Sequence, residues 1–177
     1  MTEADVDFVI YRSALPADAL CIGVLATQVF LDTYATRGVR ADLAREALAQ
    51  YGTQAFVQRL RDPACSFVLA ERAGHLLGFA ECSTSSAPPL PSHAGGIELV
   101  RLYVQRRAQR QGLGAALLRR AEALARPASP ACLWLTAWSG NVDARAFYAA
   151  QGYRDVGATE YVIGGCGYEN RVFEKWL

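Results

Sequence analysis

The spacing of apolar positions changes several times along the chain, and each change marks an element. Residues 7–13, DFVIYRS, read as a short strand. Pro16 opens a helix, and Leu20, Val24, Gln28 and Leu31 trace a stripe along it to about Tyr34. After a loop holding Gly38, a second helix covers roughly 41–60, open to a break at Gly52 and ended by Asp62-Pro63. The period then drops to two. CSFVLAER and HLLGFAEC, joined at Ala73-Gly74, predict a β-hairpin. Residues 83–96 form a loop rich in Ser, Pro and Gly. IELVRLYV is a strand at 97–104, CLWLTAW a strand at 132–138, and both read as nearly continuous apolar runs, as central strands do. Between them lies an amphipathic helix whose Leu113, Ala116, Leu117, Ala121 and Leu124 share one face. A helix over 141–151, with Asn141 as N-cap and Gly152 as stop, precedes two last strands around 153–163 and 168–176. The order β-α-α-β-β-β-α-β-α-β-β, with no repeat and no linker, predicts one domain over 1–177: a mixed sheet with helices packed on it.

Glycines punctuate one junction in particular. In QRQGLGAALLRR, Gly112 and Gly114 sit between a strand and a helix, with Arg106, Arg107 and Arg110 nearby. The first turn of a helix has free N–H groups and the positive end of its dipole, and glycine lets the backbone approach an anion closely. Such a junction can cradle a phosphate. It can equally be no more than a tight strand-to-helix turn. It is not a P-loop, because the GxxxxGK[ST] spacing and the lysine are missing. A dinucleotide fingerprint fits poorly: Leu117 stands where a third glycine belongs, and the next strand ends in Ala137-Trp138 without the expected acid.

Composition narrows the partners. A hydrophobic fraction of 52% supports a sizeable core, and a formal charge of +1 gives no case for nucleic acid or an anionic membrane. No apolar run approaches the roughly 20 residues of a membrane span. Five cysteines, an odd number without a CxxC pair, argue against a disulfide framework or a zinc site. With no signal peptide, the expectation is a soluble cytoplasmic protein. His75 and His93 are far apart and read as surface residues, so no metal site is expected.

Two blocks together carry a resemblance. Gln109-x-x-Gly112-x-Gly114 follows a strand ending Leu-Tyr-Val and precedes an amphipathic helix. Further on, Asn141, Ala144, Phe147, Tyr148, Gly152 and Tyr153 fill the pattern N-x-x-A-x-x-F-Y-x-x-x-G-F/Y after the strand LWLTAW. This resembles the GNAT superfamily of N-acetyltransferases, specifically over about 97–177. The N-terminal half matches more loosely, by element order and by FLDTY, and is reminiscent of the bacterial branch that includes polyamine acetyltransferases. The resemblance implies an α+β fold with a mostly antiparallel sheet splayed between its fourth and fifth strands and helices on both faces. It implies acetyl-CoA as co-substrate, its pantetheine between strands 97–104 and 132–138. Main-chain groups of Leu102, Tyr103 and Val104 would face it. The pyrophosphate would rest on Gln109, Arg110, Gln111, Gly112, Leu113, Gly114 and Ala115, and the Asn141 side chain would touch pantetheine as well as cap its helix.

Acetyl transfer to an amine needs a proton acceptor, a donor for the oxyanion and a proton for the departing thiolate. Tyr148 is the candidate acid: adjacent Phe147 and Tyr148 lie about 100° apart on a helix, so if Phe147 fills the core, Tyr148 stands at its edge. Its alternative is an ordinary edge tyrosine. Glu98 is the candidate base, placed by alternation on one face with Val100, Leu102 and Val104, where apolar neighbours would raise its pKa. Its alternative is a strand-end ion pair with Arg101 or Arg106; Glu81 is the next candidate, and many family members use no fixed base. The acceptor, a small-molecule amine and on the looser resemblance a polyamine, would meet the N-terminal helices, the loop 84–96 and the last strands. Phe30, Tyr34 and Glu81 are the expected contacts, with Asp32, Glu169, Tyr161 and Tyr168 available. A peptide or protein amine, or a module that binds acyl-CoA without turnover, are the competing readings. Dimers are common in the superfamily, though no residue here requires one.

Overall fold

A computed structural model describes residues 8–90 and 95–177; Asp7, the expected start of the first strand, and His93 lie outside them. The elements are β1 (Ile10–Ser13), α1 (Ala19–Tyr34), α2 (Ala41–Tyr51), α3 (Thr53–Arg61), β2 (Cys65–Arg72), β3 (His75–Ser83), β4 (Ile97–Val104), α4 (Leu113–Ala125), β5 (Cys132–Trp138), α5 (Val142–Ala150), β6 (Arg154–Ile163) and β7 (Cys166–Trp176). Short 3₁₀ turns at Pro16–Asp18 and Arg106–Ala108 lead into α1 and out of β4. The break expected at Gly52 is real: extended backbone there divides α2 from α3.

The seven strands form one sheet in the order β1-β2-β3-β4-β5-β7-β6. Every neighbouring pair is antiparallel except β4 and β5. That topology excludes a doubly wound dinucleotide fold. Helices cover both faces. On the first face α4 and α5 bury Leu117, Leu118, Ala121 and Tyr148 against Ala80, Leu99, Leu133, Leu135 and Phe173. On the second, α1, α2 and α3 bury Ile22, Phe30, Leu43 and Phe56 against Phe67, Leu69 and Phe79.

Helix α1 buries a different stripe from the one expected. Ala19, Ile22, Gly23, Leu25, Ala26 and Phe30 face inward, while Leu20 and Val24 are 59% and 64% exposed. The helix is apolar nearly all round, so more than one face satisfies a 3.6-residue period. Close approach decides among them. A Cβ on Gly23 would lie 2.7 Å from the Tyr51 carbonyl oxygen, so only glycine lets α1 settle this near the end of α2.

A bulge in β4 sets up the site. Glu81 pairs with Arg101 and Cys82 with Leu99, which leaves Val100 without a partner on β3. One extra residue turns the strand and reverses its alternation. Ile97, Leu99, Leu102 and Val104 pack on the first face, whereas Tyr103 packs on the second. Glu98 therefore does not share a face with Leu102 and Val104, as unbroken alternation required; it lies on the second face with Arg101 and Tyr103.

Candidate active site

Strands β4 and β5 are joined only at Ile97↔Leu133 and Glu98↔Trp134. Beyond that vertex β5 pairs with β7 alone, to Trp138↔Asn170, and β4 pairs with β3 alone, to Val104↔Gly78. The gap widens toward the C-terminal ends of both strands. Main-chain groups line it. The Gln105 N–H donates to the Leu77 carbonyl of the β3 side, so alternation turns the main-chain groups of Val104 and Leu102 to the gap. The Gln109 side chain confirms this direction, donating to the Val104 carbonyl at 3.2 Å.

At the mouth of the gap stands the N-terminus of α4. Gly112 is its N-cap at φ 80°, and no side chain caps it. The Ala116 N–H closes the first helical bond to the Gly112 carbonyl, so the N–H groups of Leu113, Gly114 and Ala115 have no helical partner. Arg110 also has positive φ, at 61°, giving a loop of two left-handed residues before the helix. The Gln109 N–H is not part of this array, because it donates to the Arg106 carbonyl at 3.3 Å. Of the stretch 109–115, the Gln109 N–H is thus bonded within the turn, while those of Leu113, Gly114 and Ala115 have no helical partner. The Leu113 side chain is 3% exposed and packs inward. Gln111 bonds the Arg107 carbonyl, and Arg106 and Arg107 are exposed. They line a cavity of about 350 Å³ with Gln28, Asp32 and Gln105.

Helix α5 closes the first face of the gap. Asn141 caps it as expected, its side-chain oxygen accepting from the Ala144 N–H at 3.1 Å. Phe147 and Tyr148 exchange their expected places. Tyr148 is 8% exposed and packs on Phe173 and Tyr153, while Phe147 is half-buried against the α4 N-terminus, beside Gly114. A 100° offset says that the two rings diverge, not which one is inside; Tyr148 takes the core side, and Phe147 rests in ordinary contact distance of Gly114. Burial raises the Tyr148 pKa, so the phenol is protonated at neutral pH. Its hydroxyl makes no hydrogen bond among the described residues and is not among the sealed polar atoms that lack one.

The second face carries charge at the vertex. Glu98 is half-buried, and desolvation raises its pKa, with Ser86 and Arg101 opposing that shift. It forms no ion pair with Arg101 or Arg106; Arg101 instead donates to Glu81 at 2.5 Å. Glu81 is 2% exposed, with the Arg59 Nε 4.0 Å from its other oxygen. Each Glu81 oxygen thus faces a guanidinium. Phe30, 1% exposed and packed at a tilt between Tyr34 and Tyr51, belongs to the core cluster. Tyr34 does stand at an aromatic wall, its ring 5.5 Å from Trp138, 5.3 Å from Tyr168 and 6.4 Å from Tyr161. In the segment after β3, Leu90 lies against Gly157 of β6. Trp138, Arg59 and Asn170 were not expected here. Strand parity would have put Trp138 and Asn170 on this face once β5 was paired with β7; nothing in the spacing points to Arg59.

A sheet parted between two parallel strands, with main-chain groups along the gap and an uncapped helix N-terminus at its mouth, fits a long ligand with an amide-bearing arm and an anionic head. The comparisons with known proteins agree. The profile of the Acetyltransferase (GNAT) family matches residues 32–153. The chain belongs to the GNAT family of acetyltransferases. An uncharacterised N-acetyltransferase of Lactobacillus delbrueckii subsp. lactis is 25% identical over 140 residues, 79% of this chain and 81% of that protein. In fold, the chain is similar to the PaiA N-acetyltransferase of Thermoplasma acidophilum in complex with coenzyme A, at TM-score 0.77 and 18% identity over 96% of this chain and 99% of that one. It is also similar to a ribosomal-protein-alanine N-acetyltransferase of Brucella melitensis, at TM-score 0.68 and 24% identity over 95% and 99%. Among the described residues no helix is long and apolar enough to cross a membrane.

Proposed function

We propose that this protein transfers the acetyl group of acetyl-CoA to a primary amine of a small molecule by direct attack in a ternary complex. The observation that carries the reading is the gap between β4 and β5, which ends in the uncapped N-terminus of α4. The pyrophosphate sits on the N–H groups of residues 110–115, with Arg106 and Arg107 beside it. Pantetheine lies along the gap and bonds the main chain of Leu102 and Val104, with Tyr103 between them directed to the second face. Asn141 adds a side-chain contact.

The thioester carbonyl then stands near the vertex, between two faces with different chemistry. The acceptor arrives on the second face, where Glu98 takes a proton from its ammonium group. Nitrogen attacks the carbonyl carbon, and a main-chain N–H of the bulged strand stabilises the oxyanion. As the C–S bond breaks, Tyr148 on the first face donates its proton to the thiolate, the acylated nitrogen loses its second proton to solvent, and Tyr148 is reprotonated from solvent. Base and acid thus act from opposite sides of the sheet, as incoming amine and leaving sulfur require.

Charge on the second face supports an acceptor with one amine rather than a polycation. Near the vertex, Arg59 and Arg101 offset the charge of Glu81 and Glu98, and farther out Glu46 is taken up by the Tyr161 hydroxyl. Acetyl-CoA incubated with a panel of small amines, lysine peptides and spermidine, with products weighed by mass spectrometry, tests the reading. One or more acetylated small amines are expected. Acetyl-CoA binding with no product from any amine would leave a binding module instead.

Two substitutions test individual roles. Glu98→Gln should lower kcat by about 10²-fold, the usual size of a general-base contribution, and remove the acid limb of the pH–rate profile. Its effect on stability has the opposite sign. A carboxyl raised by burial is better ionised in the unfolded chain, so it costs nothing below the unfolded carboxylate range and destabilises as pH rises through its raised value. The Gln variant should accordingly match or exceed wild-type stability at pH 7. An unchanged pH–rate profile would remove Glu98 from the mechanism. Asn141→Asp keeps a good cap but loses the amide donor. Its denaturation midpoint should stay near wild type while the Kd for acetyl-CoA rises. Asn141→Ala should lose about 1 kcal/mol of stability as well. Unaltered acetyl-CoA affinity in both variants would restrict Asn141 to capping.

A further inference from the structure

Arg101 is bound on only one side. Its Nη1 donates to Glu81, and its side chain is 11% exposed. Its Nε is sealed from solvent with no hydrogen-bond partner, and Nη2 has none among the described residues either, although it is not sealed. Nε and Nη2 form the edge through which a guanidinium grips a carboxylate with two parallel bonds. The molecule fills this edge elsewhere. Arg12 uses it on Glu71 at 2.8 and 2.7 Å, Arg40 on Asp42 at 3.1 and 2.8 Å, and Arg171 on Asp155 at 2.9 and 2.8 Å. Arg101 alone of these four spends an Nη1 bond on its carboxylate and leaves the forked edge unused.

Its position gives the edge a purpose. Arg101 follows the β4 bulge and shares the second face with Glu98, three residues back at the vertex. The ring of Tyr51 lies 5.2 Å from its guanidinium carbon and that of Phe56 5.9 Å, which holds the group in place. Glu81 fixes the opposite edge. A desolvated fork that is short of partners and anchored at Nη1 can grip a planar anion once a small turn uncovers Nε.

We propose that the acceptor amine also bears a carboxylate, as a free amino acid does, and that the Nε–Nη2 edge of Arg101 receives it. The carboxylate reaches Nη2 first, and a small turn of the guanidinium brings Nε into the second bond. The amine is then held on the Glu98 side, toward the thioester. A peptide carries no carboxylate next to its N-terminus, and spermidine carries none at all, so both lack the group this edge grips. The inference rests on the acetyl-transfer reading for its chemistry but on Arg101 alone for its selectivity.

The test compares L-amino acids with their own carboxamides, alongside spermidine and an alanine-initiated peptide. For the best amino acid, kcat/KM should exceed that of its carboxamide by about tenfold or more, the size expected for a charge-assisted pair. Arg101→Lys keeps a cation for Glu81 but removes the fork. Glu81→Gln with Arg101→Met removes the buried pair together and leaves Arg59 on its bonds to Gln50. In each folded variant the acid-to-amide ratio should fall toward one while acetyl-CoA affinity holds. A wild-type preference for the amide, peptide or spermidine overturns the proposal, and so does a ratio that survives both variants. Thermal shifts with coenzyme A present separate the two readings. If no amine is acetylated but amino acids raise Tm more than their carboxamides, selectivity by Arg101 stands and turnover falls. If neither raises Tm and nothing is acetylated, both fall.

Discussion

Replacing Gly112 by valine should weaken acetyl-CoA binding by about 100-fold or more, which is roughly 3 kcal/mol of binding free energy, while the protein still folds. The two halves of this expectation have separate causes. Gly112 sits at φ 80°, where a β-branched residue is strained. That strain costs about 1–2 kcal/mol, small enough for a domain of ordinary stability to absorb. A Cβ there meets no atom within 4 Å, so no clash with the rest of the protein adds to it. The open space is where a phosphate must approach the N–H groups of Leu113, Gly114 and Ala115. Filling it obstructs the ligand without crowding the core. Gly112→Asn separates the terms, because asparagine tolerates the left-handed region: it should restore most of the stability and little of the affinity. Isothermal titration with acetyl-CoA and denaturant melts read the two quantities independently. Normal affinity in folded Gly112→Val would remove the cradle from the account.

Tyr148→Phe should reduce kcat by about 10²- to 10³-fold, the usual range for loss of a positioned acid, with little change in the Kd for acetyl-CoA. The ring stays: its contacts with Phe173 and Tyr153 do not involve the hydroxyl. The hydroxyl makes no hydrogen bond among the described residues, so its loss leaves no orphaned partner and stability should be unchanged or slightly higher. A variant that binds acetyl-CoA normally, melts normally and turns over slowly fits a proton donor to the leaving thiolate. Rapid turnover by Tyr148→Phe would show that the thiolate leaves without help from this group.

The strand and helix order was legible because most elements here are bounded by strong signals. Asp62-Pro63, Ala73-Gly74, Asn141 and Gly152 all mark ends that the structure has, and β4 and β5 read as the continuous apolar runs that central strands are. The GNAT blocks placed the gap and the uncapped start of α4 beside it. What could not be read was the side each residue faces. The Val100 bulge leaves no trace in composition, yet it moves Glu98 from the α4 face to the face of Arg101. The exchange of Phe147 and Tyr148 depends on contacts made across the fold, Tyr148 with Phe173 and Tyr153 and Phe147 with the start of α4. Phe30 and Glu81 were expected as acceptor contacts from residue type alone. One is a core ring, and the other is held by Arg101, whose own role depends on which guanidinium edge its neighbours leave unused. Helix α1 shows the same limit, since a segment apolar on all sides does not declare its buried stripe.

The most direct test of the central claim, that acetyl-CoA completes the sheet along the gap, is amide hydrogen exchange of β4 with and without it. In the free protein the Leu102 and Val104 amides should exchange quickly although their strand is central, because β5 does not pair with them there. The Gln105 amide, bonded to Leu77, should be protected in both states. Acetyl-CoA should protect Leu102 and Val104 together with the amides of residues 113–115. Protection of those two amides in the free protein, or none gained on binding, would contradict the account.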